Sequence, residues 1–387
     1  MKSIYDSIYN QILQKLHAGV SNWKDIDKNY PLICDKLYQA SLDAGYPLVA
    51  FSGKMYLFTG SHLKAIDNDE LMIFIKRACE KLSGNRVSAS RKELINSVSA
   101  QLPYTTMAWD VKQSQNKINF WNGTLDLKTM TLVKHDWRDY FRYILPYNYD
   151  PVADCPAFKK YLNEVMPEKE AQDVLAEYIG WLFTPGLKLE KILFLYGSGC
   201  NGKSVFVEII EALVGKDNVS HESLSDLCGE YGANSRANLA GKILNTCSDV
   251  APNAFAGDLL KRLASQGPVS MKTLYKDVIT TDEYAKMLFC LNELPKTNDV
   301  SNGFYRRFLI APFQVQIPKS KIDPDLSRKI ISQELPGIMN WVLEGRKRLM
   351  ANKKFTESPL MNRALEEYRS RSAKKKRSLL LPPFFQA

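Results

Sequence analysis

The stretch from Ile192 to Gly215, ILFLYGSGCNGKSVFVEIIEALVG, contains the residue types best suited to chemistry, a G-x-x-x-x-G-K-S pattern at 197–204. Glycines let a loop turn its N–H groups towards phosphate oxygens, the lysine reaches the terminal phosphates, and the serine hydroxyl binds magnesium. A strand-like run precedes the loop, and an amphipathic helix from Lys203 to Leu213 follows it. Because both flanks fit, the sequence predicts a nucleotide site formed by Gly197, Ser198, Gly199, Cys200, Asn201, Gly202, Lys203, Ser204 and Val205.

Four residues downstream are suited to completing a hydrolytic centre. Hydrolysis needs an acid that holds magnesium, a polar sensor of the γ-phosphate and often an arginine from a neighbouring subunit. Asp249 ends one strand-like run and is the natural acid, with a surface aspartate as the alternative. Asn292 ends another run, as a sensor or as part of a turn before Pro295. Arg306 and Arg307 precede a third apolar run, as arginine fingers or as surface charges.

The elements that position these residues alternate between strands and helices. Strand candidates lie at Lys191–Tyr196, Lys242–Cys247, Met287–Leu291 and Phe308–Ile310. Helical patterns separate them and resume past Pro324. This alternation predicts an α/β fold with a mainly parallel sheet, the architecture of a P-loop ATPase core.

The amino-terminal part follows a different pattern. Its apolar residues recur at three- and four-residue spacing, which predicts mostly helices, interrupted by a hairpin with strands near Val49–Ser52 and Lys54–Thr59. A second hairpin is predicted around Asn122-Gly123, and a helix is predicted to begin near Pro156. Four regions follow: a mostly helical domain, a collar or DNA-binding module, at 1–110; a hairpin and linker at 111–165; the motor core at 166–325; and a helical segment with a basic tail at 326–387.

Composition limits the function classes. The net charge of +10 and the pI near 9.0 are compatible with a polyanionic partner, since Lys and Arg contacts to phosphates release counterions, or with a merely basic soluble protein. Seven scattered cysteines and four isolated histidines favour neither a zinc site nor a disulfide framework. No apolar run has the ~20 residues needed to cross a bilayer, and no signal peptide is evident, which predicts a cytoplasmic protein without a membrane partner.

An ordered set of segments resembles the superfamily 3 helicases, particularly the phage and plasmid primase-helicase type related to the poxvirus nucleoside-triphosphatase. The segments are FLYGSGCNGKS, LAGKILNTCSDV, LLKRLASQGPVSMKTLYKDV, MLFCLNELP and GFYRRFLIAPF. The resemblance covers roughly residues 115 to 350. It implies an AAA+-like ATPase that forms a homo-hexameric ring, hydrolyses ATP with Mg²⁺ and translocates 3′ to 5′ on single-stranded or forked DNA, alongside a separate primase.

The resemblance also implies a role for individual residues. Lys203 and Ser204 would contact the phosphates and Mg²⁺, with Asp249 as the Walker B acid and second metal ligand. Asn292 would be the sensor, and Arg306 or Arg307 the finger that enters the neighbouring site. The stretch Gln266–Asp277 corresponds to a DNA-contacting hairpin, with Lys272 and Lys276 gripping the backbone; a solvated charged turn is the alternative.

Three features depart from the family pattern. The Walker B strand offers the single acid Asp249, so a second catalytic carboxylate would have to come from Glu222 or Glu293, between which the sequence does not choose. The first hundred residues contain no evident primase module. The end, AKKKRSLLLPPFFQA, differs from the small DNA-binding domain with which relatives usually continue.

Two other functions fit part of the pattern. An ATP-regulated DNA-binding initiator would share the nucleotide site and open an origin without processive unwinding. A P-loop kinase or packaging motor fits less well: a kinase has no need of the Arg306-Arg307 pair, and no clustered acids of a packaging nuclease are present. The sequence therefore favours an ATP-driven replicative helicase of a phage, plasmid or integrated element.

Overall fold

The computed structural model describes residues 5–16, 30–51, 54–83, 92–107, 116–248, 257–272, 278–295, 297, 299, 301–318, 320 and 322–380. The chain divides into two compact units, Met1–Ile144 and Leu145–Ala387. The division falls inside the 111–165 segment that the sequence assigns to a hairpin and linker.

The first unit combines helices with two small antiparallel sheets. Its main core lies between the helices and includes Ile12, Leu37, Phe74 and Val98, all almost fully buried. The elements are, in chain order, α1 (Asp6–Lys15), α2 (Tyr30–Asp43), β1 (Leu48–Phe51), β2 (Lys54–Phe58), β3 (Leu63–Ala65), α3 (Asn68–Ser83), α4 (Lys92–Thr105), β4 (Lys117–Phe120), β5 (Gly123–Asp126) and β6 (Thr131–Val133). Both predicted hairpins are present, each extended by a third strand, β3 or β6.

The second unit is built around a five-stranded parallel sheet. The strands of the whole unit are β7 (Ile192–Tyr196), β8 (Val219–Ser220), β9 (Leu244–Ser248), β10 (Val269–Met271), β11 (Ile279–Thr281), β12 (Lys286–Leu291) and β13 (Phe308–Pro312). The sheet order is β13-β7-β12-β9-β8, while β10 and β11 form a separate antiparallel pair. Because the five strands are parallel, their carboxyl ends meet at one edge, which is where α/β sheets hold ligands.

Helices pack against this sheet and around it. They are α5 (Pro156–Val165), α6 (Lys169–Leu182), α7 (Lys203–Val214), α8 (Leu224–Cys228), α9 (Gly232–Ala237), α10 (Gly257–Ala264), α11 (Asn302–Tyr305), α12 (Leu326–Asn352) and α13 (Pro359–Leu380). Helices α6 and α12 cross closely, since a Cβ on Gly345 would lie 2.5 Å from the Ala176 carbonyl carbon. The fully buried Glu177 accepts hydrogen bonds from Arg348 Nε at 2.7 Å and Thr356 N at 2.7 Å, which joins α6 to the end of α12.

The mixed α/β class and the parallel sheet predicted from the sequence are confirmed, and the four strand candidates are observed within two residues of their predicted bounds. The two-residue edge strand β8 was not predicted. Within the described ranges, no helix combines the length and the apolar character of a bilayer-spanning segment.

Candidate nucleotide site

The predicted phosphate loop connects β7 to α7, as the pattern requires. Gly199, Cys200 and Gly202 have positive φ angles of 105°, 49° and 84°, a conformation that costs glycine least. Gly197 is required by space, because an added Cβ would lie 2.2 Å from Asn201 Nδ2 and 2.3 Å from the Phe313 carbonyl oxygen. Side chains at the two end glycines would therefore displace the loop.

Lys203 is buried at the floor of the loop. Its Nζ donates to the Gly197 carbonyl at 2.5 Å and to Asn201 Oδ1 at 3.0 Å. An ammonium group has three donors, so one remains for an incoming phosphate oxygen. Burial lowers the pKa of Lys203, and an anionic ligand would offset this effect by favouring the charged form.

Neighbouring elements hold the loop from two sides. Asn201 Nδ2 donates to the Phe313 carbonyl at 2.7 Å, and the Ile317 N–H donates to the Cys200 carbonyl at 3.1 Å. The Gly197 N–H donates to the Leu291 carbonyl at 3.1 Å, which ties the loop to the end of β12. These bonds fix the loop before any ligand binds, which reduces the ordering cost of binding.

Tyr161 is a site residue that sequence reasoning missed. Its buried hydroxyl donates to the Gly202 carbonyl at 2.7 Å, one residue before Lys203. A Cβ on Gly202 would also lie 2.8 Å from Val165 Cγ1, so α5 packs directly against the last glycine. The only sequence signal was the helix beginning at Pro156, because the pairing depends on tertiary packing over 41 residues.

The amino terminus of α7 faces the loop without a side-chain cap. The first N–H groups of a helix lack partners within the helix, so those of Lys203, Ser204 and Val205 suit an anion. Ser204 is exposed and Val205 half-buried, while Ser198 and Gly199 form the outer rim. Ser204 is thus open to solvent in the first turn of the helix, and its role as a metal ligand remains a prediction.

The other strand ends approach the same edge. Strand β12 lies between β7 and β9, and its Leu291 pairs with Tyr196, the residue before the loop. The exposed Asn292 therefore follows directly beside the phosphate loop. Strand β9 ends at Ser248, and the predicted acid Asp249 lies outside the described residues.

The sheet order separates the two candidates for a catalytic carboxylate. Glu293 follows Asn292 on the strand next to β7 and is exposed. Glu222 follows β8, three strands from β7, and its Oε1 accepts a hydrogen bond from Asn238 Nδ2 at 2.8 Å. Strands are spaced about 4.8 Å apart, so Glu293 starts roughly 10 Å nearer the loop.

A polar cluster that includes a residue of β9 was also missed from the sequence. Thr246 Oγ1 donates to Glu211 Oε1 at 2.5 Å and lies 3.1 Å from His221 Nδ1. Glu211 is on α7, eight residues after Lys203, whereas His221 follows β8. The cluster therefore links the phosphate-loop helix to the strand that precedes Asp249.

Arg306 and Arg307 lie at the other end of the strands, away from the phosphate loop. Strands β13 and β7 are parallel and pair Phe308 with Ile192, so the arginines precede the amino end of β13. The five residues of β7 place them roughly 17 Å from their own loop at about 3.3 Å per residue. Both arginines pair with Glu190, and the Arg307 contact measures 3.4 Å.

The two arginines differ in exposure. The side chain of Arg306 is 59% exposed, whereas that of Arg307 is 14% exposed. Arg307 Nη1 donates to the Gly303 carbonyl within the same turn. Arg306 is therefore the arginine whose side chain can contact another molecule without disturbing the packing of its own subunit.

The predicted DNA-contacting stretch Gln266–Asp277 is described as far as Lys272; it contains β10, which pairs antiparallel with β11 beyond it. Lys272 directly follows β10 and is exposed, and Lys276 lies outside the described residues. The Lys272 N–H donates to the Ala233 carbonyl at 2.8 Å, and Arg236 Nε donates to the Ser270 carbonyl at 2.9 Å. Helix α9 therefore contacts β10 and the residue that follows it, and Tyr231, 76% exposed, lies two residues before Ala233.

Metal-binding clusters of the usual residue types are absent from the described part of the chain, where no three His, Cys, Asp or Glu side chains form a group that could hold an ion. All seven cysteines are free thiols. Cys200 is exposed in the loop, and Cys34, Cys79, Cys155 and Cys290 are buried.

Comparison with known proteins gives two family matches that together cover parts of both units. Residues 48–167 match the model described as "D5 N terminal like", and residues 195–307 match a family of unknown function, DUF5906. "Putative helicase 184R" of Invertebrate iridescent virus 6 is 26% identical over 250 residues, 56% of this chain and 24% of that protein. "Putative helicase 121R" of Invertebrate iridescent virus 3 is 24% identical over 211 residues, 51% of this chain and 22% of that protein.

The chain thus spans about a quarter of the length of these curated relatives. Among solved structures, the apo A form of the NrS-1 C terminal region is similar, with a TM-score of 0.53 at 11% identity. The match covers 86% of this chain and 73% of that one. Sequence similarity therefore relates the chain to viral proteins named as helicases, and the structural match shows a shared fold.

Proposed function

We propose that this protein is an ATP-dependent DNA helicase or translocase that acts in replication of a phage, plasmid or integrated element. The observation that carries the proposal is the preformed phosphate loop at one sheet edge combined with an exposed arginine at the other. The names of the viral relatives support a helicase-like activity. The exposed Lys272 and the net charge of +10 support a nucleic-acid substrate.

In this proposal the nucleotide is ATP with Mg²⁺. Lys203 donates its third N–H to the β- and γ-phosphates, and Ser204 and Asp249 hold the metal. Asn292 contacts the γ-phosphate from the neighbouring strand end. Glu293 polarises the attacking water, because it lies closer to the loop than Glu222.

The arginine must act between subunits. An extended arginine side chain is about 7 Å long, roughly the length of two residues of extended backbone. An arginine about 17 Å from the phosphate loop of its own subunit therefore does not reach a γ-phosphate bound there. A homo-hexameric ring brings Arg306 of one subunit to the loop of the next, where it neutralises charge in the transition state. The ring also gives DNA a central channel.

DNA would be held by the hairpin and its support. Lys272 and Lys276 contact the backbone without reading bases, and Tyr231 offers an aromatic face for stacking. Such contacts give strong salt dependence and little sequence preference. A separate protein supplies primase activity in this scheme.

Mixed subunits test the shared site. Lys203→Ala subunits lack a working loop but retain the arginine, and Arg306→Ala subunits have the reverse defect. We expect each variant alone to hydrolyse ATP poorly and a 1:1 mixture to regain about a quarter of the wild-type rate, because random rings combine a good loop with a good arginine at that frequency. Steady-state phosphate release measures the rate.

Arg328→Ala is the matched control, because Arg328 is an exposed arginine of the same unit that pairs with Asp325 at 2.8 Å. It should keep the wild-type rate. Complementation by Arg307→Ala and not by Arg306→Ala would transfer the finger role to Arg307. Absence of recovery with either arginine variant would contradict a shared site and favour an ATP-regulated initiator.

A further inference from the structure

Helix α13 places one tyrosine against the segment that carries the arginines. Tyr368 is buried, and its hydroxyl donates to the Pro295 carbonyl at 2.7 Å. Its ring meets Tyr305 edge-on, with centroids 5.4 Å apart, and Phe308 at 6.4 Å. The hydroxyl thus fixes the ring, and the ring packs on both aromatic residues.

Those two aromatic residues flank the arginine pair in the chain. Tyr305 ends α11 directly before Arg306, and Phe308 begins β13 directly after Arg307. Phe304 adds a further edge-to-face contact with Phe308 at 4.7 Å. Because the rings on both sides are buried, the backbone of the arginine pair is held by this aromatic cluster.

The rest of α13 is anchored elsewhere in the same unit. The Leu360 N–H donates to Glu168 Oε1 at 3.0 Å, and Ser358 also bonds to this carboxylate. Glu168 precedes α6, and Ser358 precedes α13. The helix is thus fixed near its start by Glu168 and in its middle by Tyr368.

We propose that Tyr368 is a positioning residue for the arginine finger, and that α13 is the strut which fixes Arg306 at the surface presented to the neighbouring subunit. The inference rests on the proposed function, since it assumes that Arg306 serves the next loop. A finger acts only when its guanidinium lies within a fraction of an ångström of the productive position. Loss of the Tyr368 hydroxyl frees the ring and leaves the buried Pro295 carbonyl without this donor.

Two substitutions at this position separate the contacts. Tyr368→Phe removes only the hydroxyl, and Tyr368→Leu also removes the aromatic contacts. Tyr305→Phe is the matched control, because it removes a buried hydroxyl from the same aromatic cluster and keeps the ring. Thermal midpoints and nucleotide Kd values show whether each variant remains folded with an intact loop.

We expect the ATPase kcat to fall roughly fivefold in Tyr368→Phe and further in Tyr368→Leu, while the nucleotide Kd stays within about twofold. Tyr305→Phe should stay near the wild-type rate. Mixing with Lys203→Ala subunits, which retain Tyr368 and Arg306, should restore activity as it does for Arg306→Ala. A loss confined to folding would not be rescued in this way.

The outcomes separate the two claims. If Arg306→Ala is complemented and the Tyr368 variants are not, Tyr368 acts only within its own subunit and the inference is overturned. An unchanged rate in both Tyr368 variants overturns it as well. If Arg306→Ala itself is not complemented, the shared site fails and the role of Tyr368 falls with it.

Discussion

One hydroxyl group and one side-chain amide hold the phosphate loop in place. Tyr161 bonds to the carbonyl of Gly202, and Asn201 bonds to that of Phe313. Both acceptors are backbone carbonyls, so removal of the Tyr161 hydroxyl or of the Asn201 amide leaves the paired carbonyl without this donor. The shape of the loop therefore depends in part on Tyr161, a residue far from the loop in the chain.

Replacing Tyr161 with phenylalanine tests this dependence. We expect nucleotide Kd to rise roughly fivefold, which corresponds to about 1 kcal/mol for one lost neutral hydrogen bond. Equilibrium titration with a fluorescent ATP analogue measures the change. Tyr178→Phe is the matched control, because its buried hydroxyl donates to the Met287 carbonyl at 2.6 Å away from the loop.

Both variants should lose similar stability, whereas only Tyr161→Phe should bind nucleotide more weakly. Equal Kd values for the two variants would show that the Tyr161 bond contributes to folding alone.

At the scale of elements, the central strand β12 contains a buried lysine that reduces the stability of the folded protein. Lys286, its first residue, is buried with Nζ 4.7 Å from the centre of the Trp181 ring on α6. Among the described residues it forms no ion pair. Burial lowers its pKa to about 8 from the ordinary 10.5, because the charged form loses hydration.

The sign of the pH effect follows from this lowered value. Below pH 8 the lysine is charged in both states, and the folded state carries the full desolvation cost. As the pH rises from 8 towards 10.5, the folded state releases its proton before the unfolded chain does, so stability rises by an amount on the order of 3 kcal/mol. We expect Lys286→Met to have a higher thermal midpoint than the wild type at pH 7. At pH 10 this difference in thermal midpoint should be smaller.

The comparison is made between variant and wild type at each pH, because tyrosines and cysteines also titrate in this range. Lys188→Met, at an exposed lysine of the same unit, is the control and should show no pH-dependent difference. An equal advantage of Lys286→Met at both pH values would mean that Lys286 keeps its proton in the folded protein.

The elements themselves were largely predictable, because strands of the parallel sheet are apolar runs and the loop has a fixed pattern. Strand β8 was missed because two residues carry no periodicity. Tyr161 and Tyr368 were missed for another reason: each acts across a long chain separation, and tyrosine in a helix is more often core than site. A glycine pattern can be recognised in a short stretch of sequence, whereas contacts between distant residues depend on the fold.

For the whole molecule, the central claim is that Lys203 supports ATP hydrolysis coupled to DNA. In the proposed ring, the loop at the carboxyl ends of the strands and Arg306 at the amino end of β13 would be complementary halves of one site between subunits. Activity should therefore fall on dilution as subunits separate, and the basic hairpin should make it depend on nucleic acid.

The most direct measurement is steady-state ATP hydrolysis by the wild type and by Lys203→Ala, with and without single-stranded DNA, over a range of protein concentrations. The proposal predicts that DNA stimulates the wild type severalfold, that the rate per subunit falls on dilution, and that Lys203→Ala loses about a hundredfold or more of the rate. A rate that is the same with and without DNA, or that survives in Lys203→Ala, would contradict it.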